Sequence, residues 1–222
     1  MIIAIDGPGA SGKSTVAQAV ARRLGIHYLD TGAMYRAVAA RALELGIPLD
    51  DEVALISLAE RAPVTFAYES GPTLPSAVYI DGRDVTRQIR TPEVDACVSA
   101  VARVPGVRTI MVAQQRMLAR DGDSVVEGRD IGTVVFPNAE VKVFLTASPE
   151  ERARRRSLDL ADAGHALTEE EVLERLRRRD RADSTREASP LERAPDAISI
   201  DTTGRTADEV VDELVARAAV FR

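Results

Sequence analysis

The chain has 222 residues, a formal net charge of −6 and one cysteine, Cys97. That length suits a single α/β domain, whereas the negative charge argues against a general binder of nucleic acid or anionic membranes. A lone cysteine excludes an intramolecular disulfide and a cysteine-rich zinc site. Since neither a signal segment nor a membrane-spanning stretch is evident, we expect a cytoplasmic protein.

The first element is an apolar run at residues 1–6, which predicts a buried strand. A loop of the pattern GxxxxGK[ST] follows it and leads into a helical stretch at residues 15–24. Glycines let backbone N–H groups converge on phosphate oxygens at a helix N-terminus, whose dipole favours negative charge. A glycine-rich turn without a ligand is the alternative. However, Lys142 is the only other lysine, which makes a lysine at the required position more informative. We predict that a nucleotide polyphosphate binds at Gly7, Pro8, Gly9, Ala10, Ser11, Gly12, Lys13, Ser14 and Thr15, with Ser14 holding Mg²⁺.

Further along the chain, apolar strands alternate with helical stretches, which favours parallel βαβ construction. A second strand is predicted at residues 28–30, and helices are predicted over residues 32–45 and from Asp50 onwards. Three later strands are predicted at residues 124–127, 141–145 and 197–201. The sequence therefore predicts an α/β fold with a five-stranded parallel sheet flanked by helices.

One region interrupts this alternation. Residues 63–68 and 77–82 have the pattern of two antiparallel strands, separated by a turn-rich segment at residues 70–75. We predict an inserted subdomain over residues 62–100 that carries substrate specificity, with a purely structural excursion as the alternative.

The last third of the chain is rich in arginine. Helices are predicted over residues 149–163, 168–184 and 206–220, and each begins with a capping box: Ser148 with Glu151, Thr168 with Glu171 and Thr206 with Glu209. The first two would form a hairpin over residues 150–186. Acidic residues are interspersed among the arginines of this hairpin, a pattern typical of a helix surface exposed to solvent. Together with the phosphate loop, however, its guanidinium groups favour a lid that closes over a transferring phosphoryl group.

Several long motifs in a fixed order closely resemble bacterial cytidylate kinases. Besides the phosphate loop they are Asp30–Arg36, Ile80–Thr86, Ile89–Val94 and Glu127–Pro137. The resemblance covers nearly all of residues 1–222 as one P-loop kinase domain with an insert that binds the nucleoside monophosphate and a short lid. It implies transfer of the ATP γ-phosphoryl group to CMP or dCMP, with Mg²⁺ as cofactor and a monomeric chain.

The resemblance also implies roles for individual residues. The acceptor phosphate would be bound by Thr31, Tyr35, Arg36 and Arg129, the cytosine by Ser99, Arg108 and Asp130, and the sugar by Asp183. On the donor side Arg152 and Arg156 would contact ATP, and Glu127, where many relatives have aspartate, would join Ser14 at Mg²⁺. The catalytic residues would be Lys13, Arg129, Arg179 and Arg186.

Two other functions stay open on the sequence. The first is another P-loop small-molecule kinase, acting on UMP, AMP, TMP or shikimate. The second is a nucleotide-dependent RNA-binding module that uses the arginine hairpin, although the interleaved acids disfavour a continuous basic stripe. The resemblance favours small-molecule substrates, with no nucleic acid or membrane partner.

Overall fold

The structure is a computed structural model, and it describes residues 1–68, 73–119, 122–162, 164 and 167–221. In chain order the strands are β1 (Ile2–Asp6), β2 (His27–Asp30), β3 (Val64–Ala67), β4 (Ala77–Ile80), β5 (Arg83–Asp84), β6 (Ser124–Gly128), β7 (Val141–Thr146) and β8 (Ile198–Asp201). The α-helices are α1 (Lys13–Leu24), α2 (Thr31–Glu44), α3 (Glu52–Arg61), α4 (Pro92–Ala102), α5 (Pro105–Leu118), α6 (Pro149–Asp162), α7 (Glu169–Thr185) and α8 (Ala207–Ala218).

A five-stranded parallel sheet forms the centre of the fold, in the order β2-β6-β1-β7-β8. The prediction of five parallel strands is confirmed, with each strand differing from its predicted bounds by one residue at one end. Strand β1 is apolar throughout except for Asp6, because both faces of the sheet are covered. Ala4 packs into a cluster with α2 to α5, and Ile3 and Ile5 pack into a cluster with α1 and α8.

The predicted antiparallel pair is also present. Strand β3 pairs with β4, and a two-residue strand β5, which the sequence pattern did not indicate, completes a separate three-stranded sheet. The predicted turn at residues 70–75 lies partly outside the described residues, since 69–72 are not described. Helices α4 and α5 follow; the sequence pattern did not predict them, and each has proline in its first turn.

Helices α6 and α7 form the predicted arginine-rich hairpin. They pack through a small apolar cluster of Ala153, Val172 and Leu176, apart from the two main clusters. Thr168 caps α7 and Thr206 caps α8, each in a reciprocal capping box with the glutamate three residues later. These two predicted capping boxes are confirmed, and they fix where the helices begin. The third, predicted at α6, is incomplete: the Ser148 hydroxyl accepts from the backbone N–H of Glu151 at 3.2 Å, but the backbone N–H of Ser148 donates to Thr203 and the Glu151 carboxylate binds Arg154 and Arg155.

Within the described residues, none of the helices is by itself long and apolar enough to cross a membrane. Helices α4 and α5 meet the criteria of length and composition only when they are taken together, across a bend of 100°.

Candidate active site

A cavity of about 420 Å³ opens where β1, β2 and β6 end, and we call it the cleft. Parallel strands present their carboxyl ends at one edge of the sheet, where α/β proteins bind ligands. The predicted site residues that line it are Gly9, Ala10, Gly12, Lys13, Ser14, Thr15, Thr31, Tyr35, Arg36, Ser99, Arg108, Glu127, Arg129, Asp130, Arg156, Arg179, Asp183 and Arg186. The fold thus brings together residues from the loop after β1, from α2, from the α4–α5 region and from the hairpin.

The loop between β1 and α1 has the backbone of an anion cradle. Gly7 has φ 147°, and a Cβ built there would lie 2.1 Å from the carbonyl oxygen of Leu145, so no other residue fits. Gly12, at the N-cap of α1, has φ 87°, and no described side chain caps the helix. The first N–H groups of α1 are therefore left for a ligand, and an anion at that position is favoured by the helix dipole.

Lys13 is the first residue of α1 and is buried beside the loop. Its Nζ donates to the carbonyl oxygen of Pro8 at 2.7 Å. Burial, followed by the positive charge of Arg129, lowers the pKa of Lys13 below its ordinary value. A bound polyphosphate would oppose this lowering of the pKa, because its negative charge would stabilise the positively charged form of Lys13.

Glu127 lies at the end of β6 and is buried. The hydroxyl of Ser14 donates to its carboxylate at 3.0 Å, and the Tyr28 hydroxyl donates to the other carboxylate oxygen. Burial and the nearby carboxylate of Asp30 raise the pKa of Glu127. Adjacent hydroxyl and carboxylate oxygens suit Mg²⁺, which binds few protein ligands and otherwise takes water and substrate phosphates. The described residues contain no group of three or more His, Cys, Asp or Glu that could hold a metal.

Polar side chains at the α5 side of the cleft are arranged around Tyr35. Arg108 donates to the carboxylate of Asp130 in a buried ion pair, and its guanidinium lies 5.2 Å from the centre of the Tyr35 ring. Arg186 approaches Asp130 at 4.0 Å. Burial raises the pKa of the Tyr35 hydroxyl to about 12, and the side chain of Gln115 lies beside it. A carboxylate acceptor, guanidinium donors and a buried hydroxyl can together recognise a planar polar ring.

Arginines occupy the middle of the cleft. Arg129 donates through Nε to Asp183 at 3.0 Å. Burial alone would raise the pKa of Asp183, but the positive charges of Arg129 and other arginines outweigh burial, so this pKa is below its ordinary value. Arg36 and Arg179 both donate to Asp95 on α4. These guanidinium groups converge from α2, from the segment after β6 and from α7, as a site for several phosphates requires.

Four predicted site residues lie outside the lining of the cleft: Gly7, Pro8, Ser11 and Arg152. Gly7 and Pro8 instead shape the loop from behind, and the buried Ser11 accepts from Thr202 through its carbonyl oxygen. Arg152 is buried and donates to the carbonyl oxygen of Gly9 at 3.1 Å and to Asp180 at 2.6 Å. It therefore supports the loop from the hairpin side.

Comparison with known proteins agrees with this geometry. The family model described as cytidylate kinase matches residues 3–219. This chain belongs to the cytidylate kinase family. It is 50% identical over 213 residues to a cytidylate kinase from Desulforamulus reducens, covering 96% of this chain and 94% of that protein.

Cytidylate kinase sequence also occurs within longer relatives. The chain is 53% identical over 214 residues to a bifunctional pantoate ligase/cytidylate kinase from Synechococcus sp., covering 96% of this chain but only 40% of that protein. Among solved structures, an uncharacterized protein from Eubacterium ventriosum matches with a TM-score of 0.52 and 14% identity, covering 97% of this chain and 96% of that one. At that identity the likeness shows the shared fold alone.

Sequence reasoning missed several residues of the cleft of this cytidylate kinase family member. Arg155 lines the cleft, and its Nη1 donates at 2.9 Å to the hydroxyl of Thr202, the residue that follows β8. Asp6 is buried below the cleft and accepts from the backbone N–H groups of Ile131 and Gly132 at 2.8 and 2.7 Å. Burial raises the pKa of Asp6 to about 6. For Asp6, the one signal was a charged residue at the end of an otherwise apolar strand.

Proposed function

We propose that this chain transfers the γ-phosphoryl group of ATP to CMP or dCMP and releases ADP with CDP or dCDP. The observation that carries the proposal is the arrangement of the cleft. It has an anion cradle at the start of α1, a pocket for a polar ring at Tyr35, Arg108 and Asp130, and arginines between them. Family membership and relatives named cytidylate kinase support the same substrates.

In this proposal the donor phosphates lie along the loop of residues 7–15. Backbone N–H groups and Lys13 bind the β- and γ-phosphates, and Arg156 contributes from α6. Arg152 acts indirectly, because it holds the loop through the carbonyl oxygen of Gly9. Ser14 and Glu127 would hold Mg²⁺, which when bound neutralises phosphate charge and orients the γ-phosphate.

The acceptor lies on the opposite side of the cleft. Arg36 and Arg129 clamp its phosphate, together with Thr31 and Tyr35 at the start of α2. Ser99, Arg108 and Asp130 read the cytosine edge, and Asp183 accepts from a sugar hydroxyl. A base with an exocyclic amine and a carbonyl requires one acceptor and one donor, which the Asp130 and Arg108 pair provides.

The transfer needs no covalent enzyme intermediate. A phosphate oxygen of the acceptor is already anionic at neutral pH and attacks the γ-phosphorus in line, so the protein contributes positioning and charge stabilisation rather than a strong base. Lys13, Arg129, Arg179 and Arg186 stabilise the charge spread over the transferring group. The hairpin over residues 150–186 acts as a lid that excludes water, and the insert over residues 62–100 contributes Ser99 to the acceptor site.

The remaining expectations belong to the same proposal: a monomer in the cytoplasm, with no nucleic acid or membrane partner. An alternative kinase activity on UMP, AMP, TMP or shikimate, or an RNA-binding role, would need a different acceptor site.

The proposal is tested by coupled ADP release across a panel of acceptors. The purified chain is assayed with ATP, Mg²⁺ and, in turn, CMP, dCMP, UMP, AMP, TMP and shikimate. We expect CMP and dCMP to give the highest kcat/KM. A higher value for any of the others would contradict the proposed acceptor, and salt-sensitive RNA retention without ADP release would favour the RNA-binding alternative.

A further inference from the structure

Asp95 joins three helices through one carboxylate. It lies in the first turn of α4 and accepts from Arg36 of α2, from Arg156 of α6 at 2.7 Å and from Arg179 of α7 at 3.3 Å. Its side chain is 27% exposed. The sequence offered no sign of this cluster, because its partners lie 59 to 84 residues away along the chain.

The same three arginines have phosphate ligands in the proposed function. Arg36 faces the acceptor phosphate, and Arg156 and Arg179 face the donor. In this structure Arg36 has both terminal nitrogens engaged, one by Asp95 and the other by the carbonyl oxygen of Ile89. These contacts use two of its five N–H donors, so a phosphate at Arg36 would have to share the guanidinium with Asp95 or displace it.

A carboxylate and a phosphate compete directly for such a guanidinium fork. Both are anions that accept paired N–H groups, and a phosphate dianion carries twice the charge of a carboxylate. A phosphate brought next to Asp95 would also be repelled by it. The two anions are therefore alternative partners of one arginine cluster, rather than joint members of it.

We propose that Asp95 is a specificity-determining residue: it holds Arg36, Arg156 and Arg179 while the acceptor site is empty, and an acceptor phosphate displaces it. This inference rests on the proposed function. A nucleoside without a phosphate cannot take the place of the carboxylate, so it leaves the arginines bound. Water likewise leaves the three arginines bound to Asp95. ATP hydrolysis without an acceptor is therefore disfavoured, because Arg156 and Arg179 stay bound to α4.

The test compares wild type with Asp95→Asn, using Asp159→Asn as a matched control. Asp159 is an exposed acid that lines the same cleft, and its side chain forms no ion pair with the described residues. Both substitutions remove one negative charge, but only Asp95→Asn breaks the cluster. Thr91 still caps α4 in the variant, so we expect the helix to remain, and its circular dichroism spectrum checks this.

Titration calorimetry with CMP is the first measurement. We expect Asp95→Asn to lower the CMP dissociation constant about three- to tenfold, the effect of removing a competitor that makes several partly exposed ion pairs. For Asp159→Asn we expect a change of less than about twofold. An unchanged or weaker affinity in Asp95→Asn overturns the proposal, since a merely structural or phosphate-positioning role predicts that result.

The second measurement is ATP hydrolysis without an acceptor. It should rise in Asp95→Asn relative to wild type and to Asp159→Asn, and an unchanged rate contradicts the displacement mechanism. The outcomes also separate the two proposals. A wild-type chain that fails to phosphorylate CMP contradicts the proposed function, whereas an active wild type whose CMP affinity is not improved by Asp95→Asn contradicts the role of Asp95 alone.

Discussion

Lys13 and Lys142 are the two lysines of the chain, and both are buried in very different surroundings. Lys13 faces the cleft among arginines, with its pKa lowered by burial first and by Arg129 next. Lys142 donates to Asp196 at 2.8 Å and to the carbonyl oxygen of Pro137, away from the cleft lining. One lysine therefore faces the cleft, and the other ties β7 to the segment before β8.

This contrast gives the first prediction. Lys13→Ala should lower kcat for CMP phosphorylation about 100-fold or more, because it removes a charge that acts on the transferring group. The substitution should not lower the midpoint of urea unfolding, because it removes a buried charge whose desolvation is itself unfavourable for folding. Lys142→Ala is the control, with kcat retained and the urea midpoint lowered by the broken ion pair. Near-wild-type turnover of folded Lys13→Ala would remove Lys13 from the mechanism.

The second prediction concerns the choice of base. Asp130→Asn turns part of the carboxylate edge beside Arg108 into a donor, which suits the carbonyl of uracil better than the amine of cytosine. We expect the ratio of kcat/KM for CMP to that for UMP to fall about tenfold or more, a difference of one hydrogen bond to a charged group. The KM for ATP serves as the internal control. An unchanged ratio would refute the base-reading role.

At the scale of elements, α7 and α8 offer a natural comparison. Both begin with a threonine in a reciprocal capping box, but α7 packs through a small cluster, whereas α8 packs with Val210 and Leu214 into a main cluster. Cap loss costs about 1 kcal/mol in either helix. Whether this loss lowers the stability of the whole protein or only of the helix depends on what the helix packs against.

We therefore expect Thr168→Ala to speed amide hydrogen exchange within α7 with little change in the midpoint of global unfolding. Thr206→Ala should instead lower the global midpoint. Mass spectrometry of exchange and urea titration measure the two effects. Equal effects on global stability would show that α7 unfolds together with the sheet, which would count against an independently moving lid.

The elements also show what can be predicted from sequence. The parallel strands, the antiparallel pair and the capping boxes of α7 and α8 follow from local patterns, and they are present in the structure. Helices α4 and α5 were missed because their first-turn prolines, Pro92 and Pro105, were not read as helix starts. Asp95 was missed for another reason: its partners are fixed only by the packing of three helices, which no local pattern encodes.

At the scale of the whole molecule, Asp95 links acid stability to the cleft. Burial alone would raise its pKa, but Arg36, Arg179 and Arg156 outweigh burial and hold the pKa to about 2, below the ordinary value of 3.8. A carboxylate with a lowered folded pKa stabilises the native state above its unfolded pKa. That contribution is lost as the pH falls from about 4 towards 2, where the folded form also becomes protonated.

Urea unfolding as a function of pH tests this linkage. At neutral pH we expect Asp95→Asn to have a free energy of unfolding about 1–2 kcal/mol below wild type, a value that allows for partial exposure of the side chain. The difference should be constant down to about pH 4 and then shrink towards zero near pH 2. A difference that persists at pH 2 would mean that the ionised carboxylate is not its source.

Arg152 binds the loop after β1 and α7 at the same time, through the carbonyl oxygen of Gly9 and the carboxylate of Asp180. The base of the hairpin is thereby tied to the loop of residues 7–15. If the hairpin moves as the proposed lid, this link would be its pivot, and displacement would increase with distance towards Gly164 at the far end. We therefore expect arginines close to Arg152 to move least.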